Sequence, residues 1–261
     1  MNFGVQTFTI RKAQKKSIRA AYLPLIKLGI KHFEVARIDF NEKNAKELRA
    51  LVDEHGIEIC SIQVKPKYVF GDIDNVARFC EIVGCKNVVI SMLPFKCILG
   101  GEDKFYAFLS TLDATYDEYA KMGITLAYHH HNWEYIKLRS GKTRMTELLE
   151  GTKKLKFVHD TYWTARCGIA PEKQIAEFGD RLLGIHLRDL SFKSSGINVV
   201  STDTALGDGV VNFASVLSAA ESVGCQYYVI EQKTDEPYRE IEKSYEYIET
   251  IKNELNKELT L

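Results

Sequence analysis

The sequence lacks the features that mark several large classes of protein. Its six cysteines are scattered with no Cys-x-x-Cys pair, which argues against a disulfide framework and is typical of thiols in a reducing cytoplasm. No apolar run approaches the ~20 residues of a membrane-spanning helix, and the first residues lack the basic-then-apolar layout of a secretory signal. We therefore expect a cytoplasmic protein with no membrane partner.

An excess of positive charge is missing as well. The chain of 261 residues has 35 Lys and Arg against 35 Asp and Glu, so its formal net charge is zero. Proteins that bind nucleic acid usually carry a basic excess, because neutralised phosphates release counterions. We therefore expect no nucleic-acid partner. A hydrophobic share of 45% at this length is enough to bury a large core without disulfides.

What the sequence does contain is a repeated order of helix, glycine and strand. Glycine ends a helix readily, since it adopts the left-handed conformation at no Cβ cost. Five glycines each follow an amphipathic stretch and precede a run rich in Ile, Val, Phe and Tyr: Gly29, Gly56, Gly84, Gly123 and Gly224. Such runs are typical of buried parallel strands. With three further apolar runs they predict eight strands, at Val5–Thr9, Phe33–Ile38, Ile57–Val64, Val88–Ser91, Ile124–His129, Phe157–His159, Leu183–His186 and Tyr227–Ile230.

Eight β/α units in a chain of this length match the size of a closed (β/α)8 barrel, the TIM barrel of the α/β class. The competing architecture is an open doubly wound sheet, whose nucleotide-binding version needs a glycine-rich phosphate loop after the first strand. Residues 4–12 contain no such loop. No linker-like segment divides the chain, so we expect one barrel domain spanning residues 1–261.

Ionisable residues gather at the carboxyl ends of the predicted strands, where a barrel places its active site. Asp160, His186 and Glu231 come at or just after the ends of strands six, seven and eight. With a carboxylate from strand five they would form a site of one histidine and three carboxylates, which suits Mn²⁺ or a similar divalent ion. Taken singly, each of these residues is also explained as a satisfied polar group at a strand end.

The residue that strand five contributes to this metal site is ambiguous, because the strand ends in the run Tyr-His-His-His-Asn-Trp-Glu, which contains several possible ligands. On a strand of period two, His129 and His131 point the same way and His130 points to the opposite side. Either His129 or His131 is a candidate metal ligand or base. Glu134 is a candidate ligand that turns back from the following loop, and His130 is expected to pack outward.

Four further residues are candidates for contact with a substrate. Glu34 and Lys65 belong to strands two and three, and Arg188 follows strand seven. Lys65 and Arg188 would hold anionic or hydroxylated groups, or pair with a carboxylate. Trp163 would cover a sugar face or pack in the core. The segment 190–211 is expected to be a flexible loop ending at an N-cap, with Gly207 and Gly209 as weak candidates for approach to a phosphate.

At these residues the sequence resembles the sugar phosphate isomerase/epimerase superfamily, the barrels related to xylose isomerase. The resemblance extends over nearly the whole chain and is carried in order by GVQTFTIR, FEVAR, AYHHHNWEY, HDTYW, GIHLRD, ALGDGVVNF and YYVIEQ. It implies one divalent metal ion, Mn²⁺ before Mg²⁺, Co²⁺ or Zn²⁺, bound by Asp160, His186 and Glu231. Because strand five departs from the usual pattern, Glu134 is the expected fourth ligand, with His129 as the alternative.

The activity that this resemblance implies is isomerisation or epimerisation of a sugar or sugar phosphate. A proton would leave and return next to a carbonyl, through a metal-stabilised enediolate, with Glu231 and His129 or His131 as proton carriers. The alternatives are a lyase or dehydratase acting on a keto sugar, inosose or 3-keto glycoside, and a non-catalytic sugar-binding barrel. A DNA-repair endonuclease of the same fold is disfavoured by the missing basic excess. The partner is therefore a small sugar, and a homo-oligomer is compatible with the sequence.

Overall fold

The computed structural model describes residues 1–258 and contains ten strands. Eight of them pair in parallel and close into a barrel, in the order β1–β10–β7–β6–β5–β4–β3–β2. The barrel strands are β1 Phe3–Gln6, β2 His32–Val35, β3 Glu58–Val64, β4 Asn87–Ile90, β5 Thr125–His129, β6 Lys156–Asp160, β7 Leu182–Leu187 and β10 Tyr227–Ile230. The predicted single-domain (β/α)8 barrel is confirmed, and each predicted strand overlaps an observed one.

Thirteen α-helices lie between and outside the strands of the described chain, and none of them is long and apolar enough to cross a bilayer. They are α1 Arg11–Gln14, α2 Ile18–Lys27, α3 Glu42–His55, α4 Pro66–Gly71, α5 Ile73–Val83, α6 Phe95–Leu99, α7 Glu102–Leu109, α8 Leu112–Lys121, α9 Arg144–Gly151, α10 Thr161–Arg166, α11 Pro171–Phe178, α12 Phe213–Ser222 and α13 Pro237–Glu258. Short 3-10 helices cover Trp133–Tyr135 and Gly179–Arg181.

The glycines that punctuate the sequence end helices as predicted. Gly56 and Gly84 cap α3 and α5 with φ of 60° and 78°, in the left-handed region. A side chain with a Cβ is disfavoured there, so glycine lets the chain leave the helix and enter β3 or β4 directly.

The apolar residues form two separate layers. The larger one fills the space between the strands and the surrounding helices. The smaller one has one or two members from each of six strands and is formed by Cys60, Val89, Ala127, Val158, Leu183, Tyr227 and Val229. In a barrel such inward-pointing residues form layers, so the interior is a packed core rather than a channel. The polar residues of the site lie toward the carboxyl ends of the same strands.

The segment after β7 differs from the prediction. Instead of a flexible loop over residues 190–211, β8 Asp189–Ser195 and β9 Asn198–Thr204 pair into an antiparallel hairpin. Its outer part exposes apolar side chains, among them Phe192 and Ile197. Because few of these side chains are buried, the two strands lack a run of apolar residues like those of the barrel strands. The sequence pattern therefore did not predict them.

The glycines after the hairpin bind a carboxylate of the chain itself. The backbone N–H groups of Gly207 and Gly209 each donate to Asp189 Oδ2 at 2.9 Å. The interpretation of these glycines as a phosphate site is therefore wrong. The expected N-cap is confirmed, because the side chain of Asn212 accepts a hydrogen bond from the N–H of Ser215 at the start of α12.

Candidate active site

Four buried side chains from consecutive barrel strands converge on one point. His129 ends β5, Asp160 ends β6, His186 lies in β7 and Glu231 directly follows β10. Each offers one nitrogen or oxygen atom, and these four atoms all lie within 4.8 Å of one another. Parallel strands with carboxyl ends on one rim of the barrel bring these residues together although the chain separates them widely.

Both histidines of this cluster are oriented by a hydrogen bond on the ring nitrogen that faces away from it. His129 Nδ1 lies 3.2 Å from the backbone oxygen of Ser91, and its Nε2 faces Asp160 Oδ2 at 3.4 Å. His186 Nε2 lies 2.6 Å from Glu34 Oε1, and its Nδ1 faces Glu231. Metal-binding histidines are typically held in this way, with the outer nitrogen bound to a carbonyl or carboxylate.

The carboxylates of the cluster stabilise positive charge on the groups beside them. Burial opposes a proton on His186, but the carboxylates of Glu34 and Glu231 outweigh burial and raise the pKa of its imidazole to about 10. Burial likewise opposes charge on Asp160, yet Arg188, followed by the neighbouring imidazoles, keeps the pKa of this carboxyl well below its usual range. Despite burial, Arg188, followed by His186, likewise lowers the pKa of the Glu231 carboxyl to about 2, so both cluster carboxylates are ionised at neutral pH. Protonated His186 and Arg188 balance them, and a bound metal ion would take the place of the His186 proton.

Two polar atoms of the cluster face each other as an ion pair. His186 Nδ1 and Glu231 Oε2 lie 2.8 Å apart, and Asp160 Oδ2 lies 3.9 Å from the same nitrogen. Neither atom of the close pair has a hydrogen bond of good geometry, so the pair can open to a bound cation. Two imidazole nitrogens and two carboxylates are donors that suit Mn²⁺, Co²⁺ or Zn²⁺. The residues present therefore fit a divalent metal ion.

Glu134 lies outside the cluster, which corrects its predicted position as the strand-five member. Its fully buried carboxylate accepts hydrogen bonds from the hydroxyl of Tyr128 and from the backbone N–H of His131, the latter at 2.9 Å. The 3-10 turn at 133–135 directs the side chain to the Tyr128 side of the strand, away from Asp160. His129, the predicted alternative, takes the strand-five position.

Glu34 is also placed differently from the expectation of substrate contact. It lies one residue before the end of β2, is fully buried, and does not line the cavity described below. Besides His186 it accepts hydrogen bonds from Tyr227, at 2.8 Å, and Ser61. Its role in the geometry is to hold His186 in place from below.

A cavity of about 1220 Å³ opens above the cluster at the carboxyl ends of the strands. Most of the predicted site residues contribute to its wall: His129, His131, Glu231, Lys65, Trp163 and Arg188. His130 faces the other way, as expected, and its Nε2 accepts the backbone N–H of Asp160. The alternation of side chains thus places His129 and His131 at the cavity and His130 on the opposite side.

His131 has a ring nitrogen available in this cavity. Its Nδ1 is buried without a hydrogen-bond partner, and the ring packs against Trp163 with centroids 5.4 Å apart. Burial, and then the charge of His129, lower the pKa of the His131 imidazole to about 3, so it is neutral at physiological pH. A neutral imidazole with a free nitrogen can accept a hydrogen bond from a substrate hydroxyl.

Arg188 links the cluster to a residue that the sequence did not single out. Its guanidinium lies 3.0 Å from Asp160 Oδ2 and 3.5 Å from Glu231 Oε1. On its other side it binds Asp203 at 2.6 Å, and Asp203 belongs to β9 and lines the cavity. Only the hairpin register brings Asp203 to this position, so no local sequence signal could have identified it.

Comparison with known proteins gives the same picture of the fold. The sequence profile described as xylose isomerase-like TIM barrel matches residues 24–252, whereas no curated protein sequence matches the chain. A sugar phosphate isomerase/epimerase from Parabacteroides distasonis is similar in structure, with a TM-score of 0.77, 18% identity and coverage of 94% of each chain.

Two further structures are similar at lower identity. The probable 3-DHS dehydratase AsbF of Bacillus anthracis has a TM-score of 0.72 at 12% identity, covering 95% of this chain and 98% of its own. A xylose isomerase-like barrel from Mycobacterium smegmatis, in complex with magnesium, has a TM-score of 0.65 at 14% identity, covering 90% and 88%. Identities this low establish the shared fold and not a shared reaction. The profile match spans most of the sequence and confirms the resemblance, so the chain belongs to the xylose isomerase-like TIM barrel family.

Proposed function

We propose that the protein is a divalent-metal-dependent isomerase or epimerase that moves a proton next to the carbonyl of a sugar or sugar derivative. The observation that carries this proposal is the cluster of His129, Asp160, His186 and Glu231 at the floor of an open cavity. Both histidines direct a ring nitrogen at a cluster carboxylate, and Glu231 reaches the cavity as well.

A polyhydroxylated ligand is supported by the polar atoms around the cavity. Six of the residues that line it each have one buried nitrogen or oxygen without a hydrogen-bond partner: Gln63, His131, Trp163, Arg188, Asp203 and Glu231. Buried polar groups normally find partners, so a concentration of free donors and acceptors around one cavity is typical of a site for a ligand rich in hydroxyl groups.

In this proposal the four cluster residues hold Mn²⁺ or a similar ion, and His129 acts as a ligand. The chemistry that such a cation supplies is stabilisation of the negative charge that develops when a proton leaves the carbon beside a carbonyl. Glu231 takes this proton at a carboxylate oxygen and returns it to the neighbouring carbon in isomerisation. In epimerisation, His131 instead donates a proton to the original carbon from the opposite face, and Glu231 releases the proton that it took to solvent.

His131 carries the second proton movement. His131 lines the cavity, and its unpartnered Nδ1 relays the hydroxyl proton of the substrate to the oxygen that was the carbonyl. Trp163 packs on the ring of His131, which limits the access of water to this nitrogen. Arg188, bound between Asp160 and Asp203, keeps the cluster carboxylates ionised and fixed.

The test is exchange of solvent deuterium into ketoses and ketose phosphates by the Mn²⁺-loaded protein, followed by NMR. We expect exchange at the carbon next to the carbonyl with at least one ketose. Glu231→Gln and His131→Asn should each slow it by about 10²–10⁴-fold, as expected for loss of a general acid or base. His55→Asn, at the end of α3, is the matched control and should exchange like the wild type.

Two outcomes would count against the proposal. Wild-type protein that holds the metal ion but exchanges deuterium with no ketose would favour the non-catalytic sugar-binding alternative. Glu231→Gln protein that exchanges at the wild-type rate would remove Glu231 from the reaction.

A lyase is the second candidate function, and the composition of the cluster supports it. The strand-five position holds an imidazole and not a carboxylate, so the cluster has two carboxylates instead of the expected three. Only one of them, that of Glu231, lines the cavity as a candidate base. A single base in the cavity wall suits a reaction in which a proton leaves and is not returned. Formation of an unsaturated ketone, detected by ultraviolet absorbance, from a keto sugar or inosose would identify this reaction.

A further inference from the structure

Arg37, two residues after the end of β2, has an unusual backbone conformation. Its φ is +58°, and within residues 1–258 every other residue with a left-handed φ is a glycine. A residue with a long side chain is strained in this region, and such strain persists where the surrounding structure enforces it, often at functional sites. The position therefore requires an explanation for an arginine in place of glycine.

The chain enforces this conformation through buried side chains that hold the preceding residue. The hydroxyl of Thr7 accepts the backbone N–H of Ala36 at 2.8 Å and lies 3.1 Å from its carbonyl oxygen. The amide of Gln14 donates to the same carbonyl at 2.8 Å, and Gln14 is itself bound by the hydroxyl of Tyr22. Because Thr7, Gln14 and Tyr22 are all buried, the direction in which the chain presents Arg37 is fixed.

This conformation directs Arg37 to the cavity, where it shares an aromatic ring with a second arginine. Phe8 and Arg37 line the cavity wall on the side of β1 and β2. The guanidinium carbons of Arg37 and Arg11 lie 5.3 Å and 3.9 Å from the centre of the Phe8 ring. Burial and the charge of Arg37 both lower the pKa of Arg11, so the two cations repel each other.

Neither arginine has a carboxylate partner within the described part of the chain, and the wall around them is basic. Arg188 is already paired with acidic residues. The remaining wall contains the single acid Asp39 against six cations, none of which forms an ion pair within residues 1–258: Arg37, Lys65, Lys67, Lys96, Arg166 and Lys233. In a chain with equal numbers of acidic and basic residues, this wall is a local concentration of unpaired positive charge.

We propose that Arg37, supported by Arg11 on the ring of Phe8, binds an acidic group of the substrate, a carboxylate or a phosphate. This inference rests on the proposed function, because it assigns the end of the substrate that lies away from the metal cluster. Guanidinium groups bind both acids through paired hydrogen bonds, and a second cation nearby strengthens the attraction. Arg37 is then a specificity-determining residue that selects acidic over neutral sugars.

The experiment uses the full chain freed of metal with EDTA, so that anion binding is measured apart from catalysis. Inorganic phosphate and acetate are compared with chloride at equal ionic strength, by thermal unfolding and titration calorimetry. At ten times its dissociation constant, the preferred anion should raise the unfolding midpoint by about 3–5 °C. The anion with the higher affinity identifies the substrate as a phosphate ester or a carboxylic acid.

Variants then assign the binding to Arg37. Arg37→Gln should weaken anion binding about tenfold or more, and Arg37→Lys should restore part of it. Arg37→Gly should lose binding while the fold stays as stable as in the wild type, because glycine suits the left-handed backbone. Arg78→Gln removes an exposed arginine outside the cavity wall and should bind like the wild type.

The inference is overturned if neither anion raises the midpoint above chloride, or if Arg37→Gln binds as tightly as the wild type. These failures are distinct from failure of the proposed function, since deuterium exchange is measured separately on the metal-loaded protein. If the protein binds phosphate through Arg37 but exchanges no deuterium, the anion site is supported and the proposed isomerase activity is refuted.

Discussion

Replacement of Glu34 by glutamine tests whether this carboxylate holds His186 in position for binding a metal ion. Glu34 is fully buried and its Oε1 lies 2.6 Å from His186 Nε2, so the variant keeps the shape of the side chain and removes its charge. A hydrogen bond to a charged group contributes about 1.5–3 kcal/mol and a neutral one about 0.5–1.5 kcal/mol. The midpoints of these ranges differ by about 1.25 kcal/mol, close to the value of about 1.4 kcal/mol that corresponds to a tenfold change in an equilibrium constant.

We therefore expect Glu34→Gln to bind Mn²⁺ about 10- to 100-fold more weakly than the wild type, the range that is typical for groups orienting a metal ligand. Titration calorimetry with Mn²⁺ measures this directly, and circular dichroism verifies the fold. The control is Glu58→Gln. Glu58 Oε2 lies 3.2 Å from His32 Nδ1, so it forms the same kind of pair, but it is exposed and at the amino end of β3.

The reasoning fails if Glu34→Gln binds Mn²⁺ within about twofold of the wild type while it remains folded. It fails equally if Glu58→Gln weakens binding to the same extent, because the effect would then be unrelated to His186.

Three other predictions concern the stability of the fold. A Cβ on Gly184 would lie 2.2 Å from the Tyr227 ring, so Gly184→Ala should cost about 1–3 kcal/mol in urea unfolding and, through the Tyr227–Glu34 hydrogen bond, weaken Mn²⁺ binding. Asp189→Asn should cost about 2 kcal/mol, because N–H groups now bound to Asp189 Oδ2 would face an amide. Burial raises the pKa of the Cys85 thiol to about 12, whereas an unfolded thiol loses its proton near pH 8.5. The free energy of unfolding should thus fall as pH rises above about 9, and Cys85→Ala should reduce that slope by up to about 1.4 kcal/mol per pH unit.

The barrel was predictable because each unit is specified locally. A glycine that must be left-handed, such as Gly56, is followed by an apolar run that must be buried, and both signals lie within a few residues. The order of the eight strands then follows from the right-handed β/α connection. The hairpin of β8 and β9 has neither signal, because half of its side chains are exposed, only two are buried, and its pairing is set by hydrogen bonds along the backbone.

Within the site, residues at strand ends were predicted to converge, and they do. The sequence did not predict how deep in the barrel a side chain lies, nor which way a residue in a loop points. Asp160, His186 and Glu231 follow from the strand boundaries alone. Whether Glu134 or His129 joins them depends on a single 3-10 turn, and the partner that holds Glu134, Tyr128, lies on the same strand without any distinguishing pattern. Glu34 was assigned to the cavity. It lies one residue before the end of β2, below the cavity, where its neighbours come from β3, β7 and β10.

The central claim is that the carboxyl ends of β5, β6, β7 and β10 hold one divalent ion through two imidazoles and two carboxylates. Electron paramagnetic resonance of Mn²⁺ added in equal amount to the metal-free protein tests it most directly. The account predicts one bound ion per chain, with couplings to two imidazole nitrogens, one of which disappears in His129→Asn and the other in His186→Asn. A spectrum of free aqueous Mn²⁺, or nitrogen couplings that survive both substitutions, would contradict it.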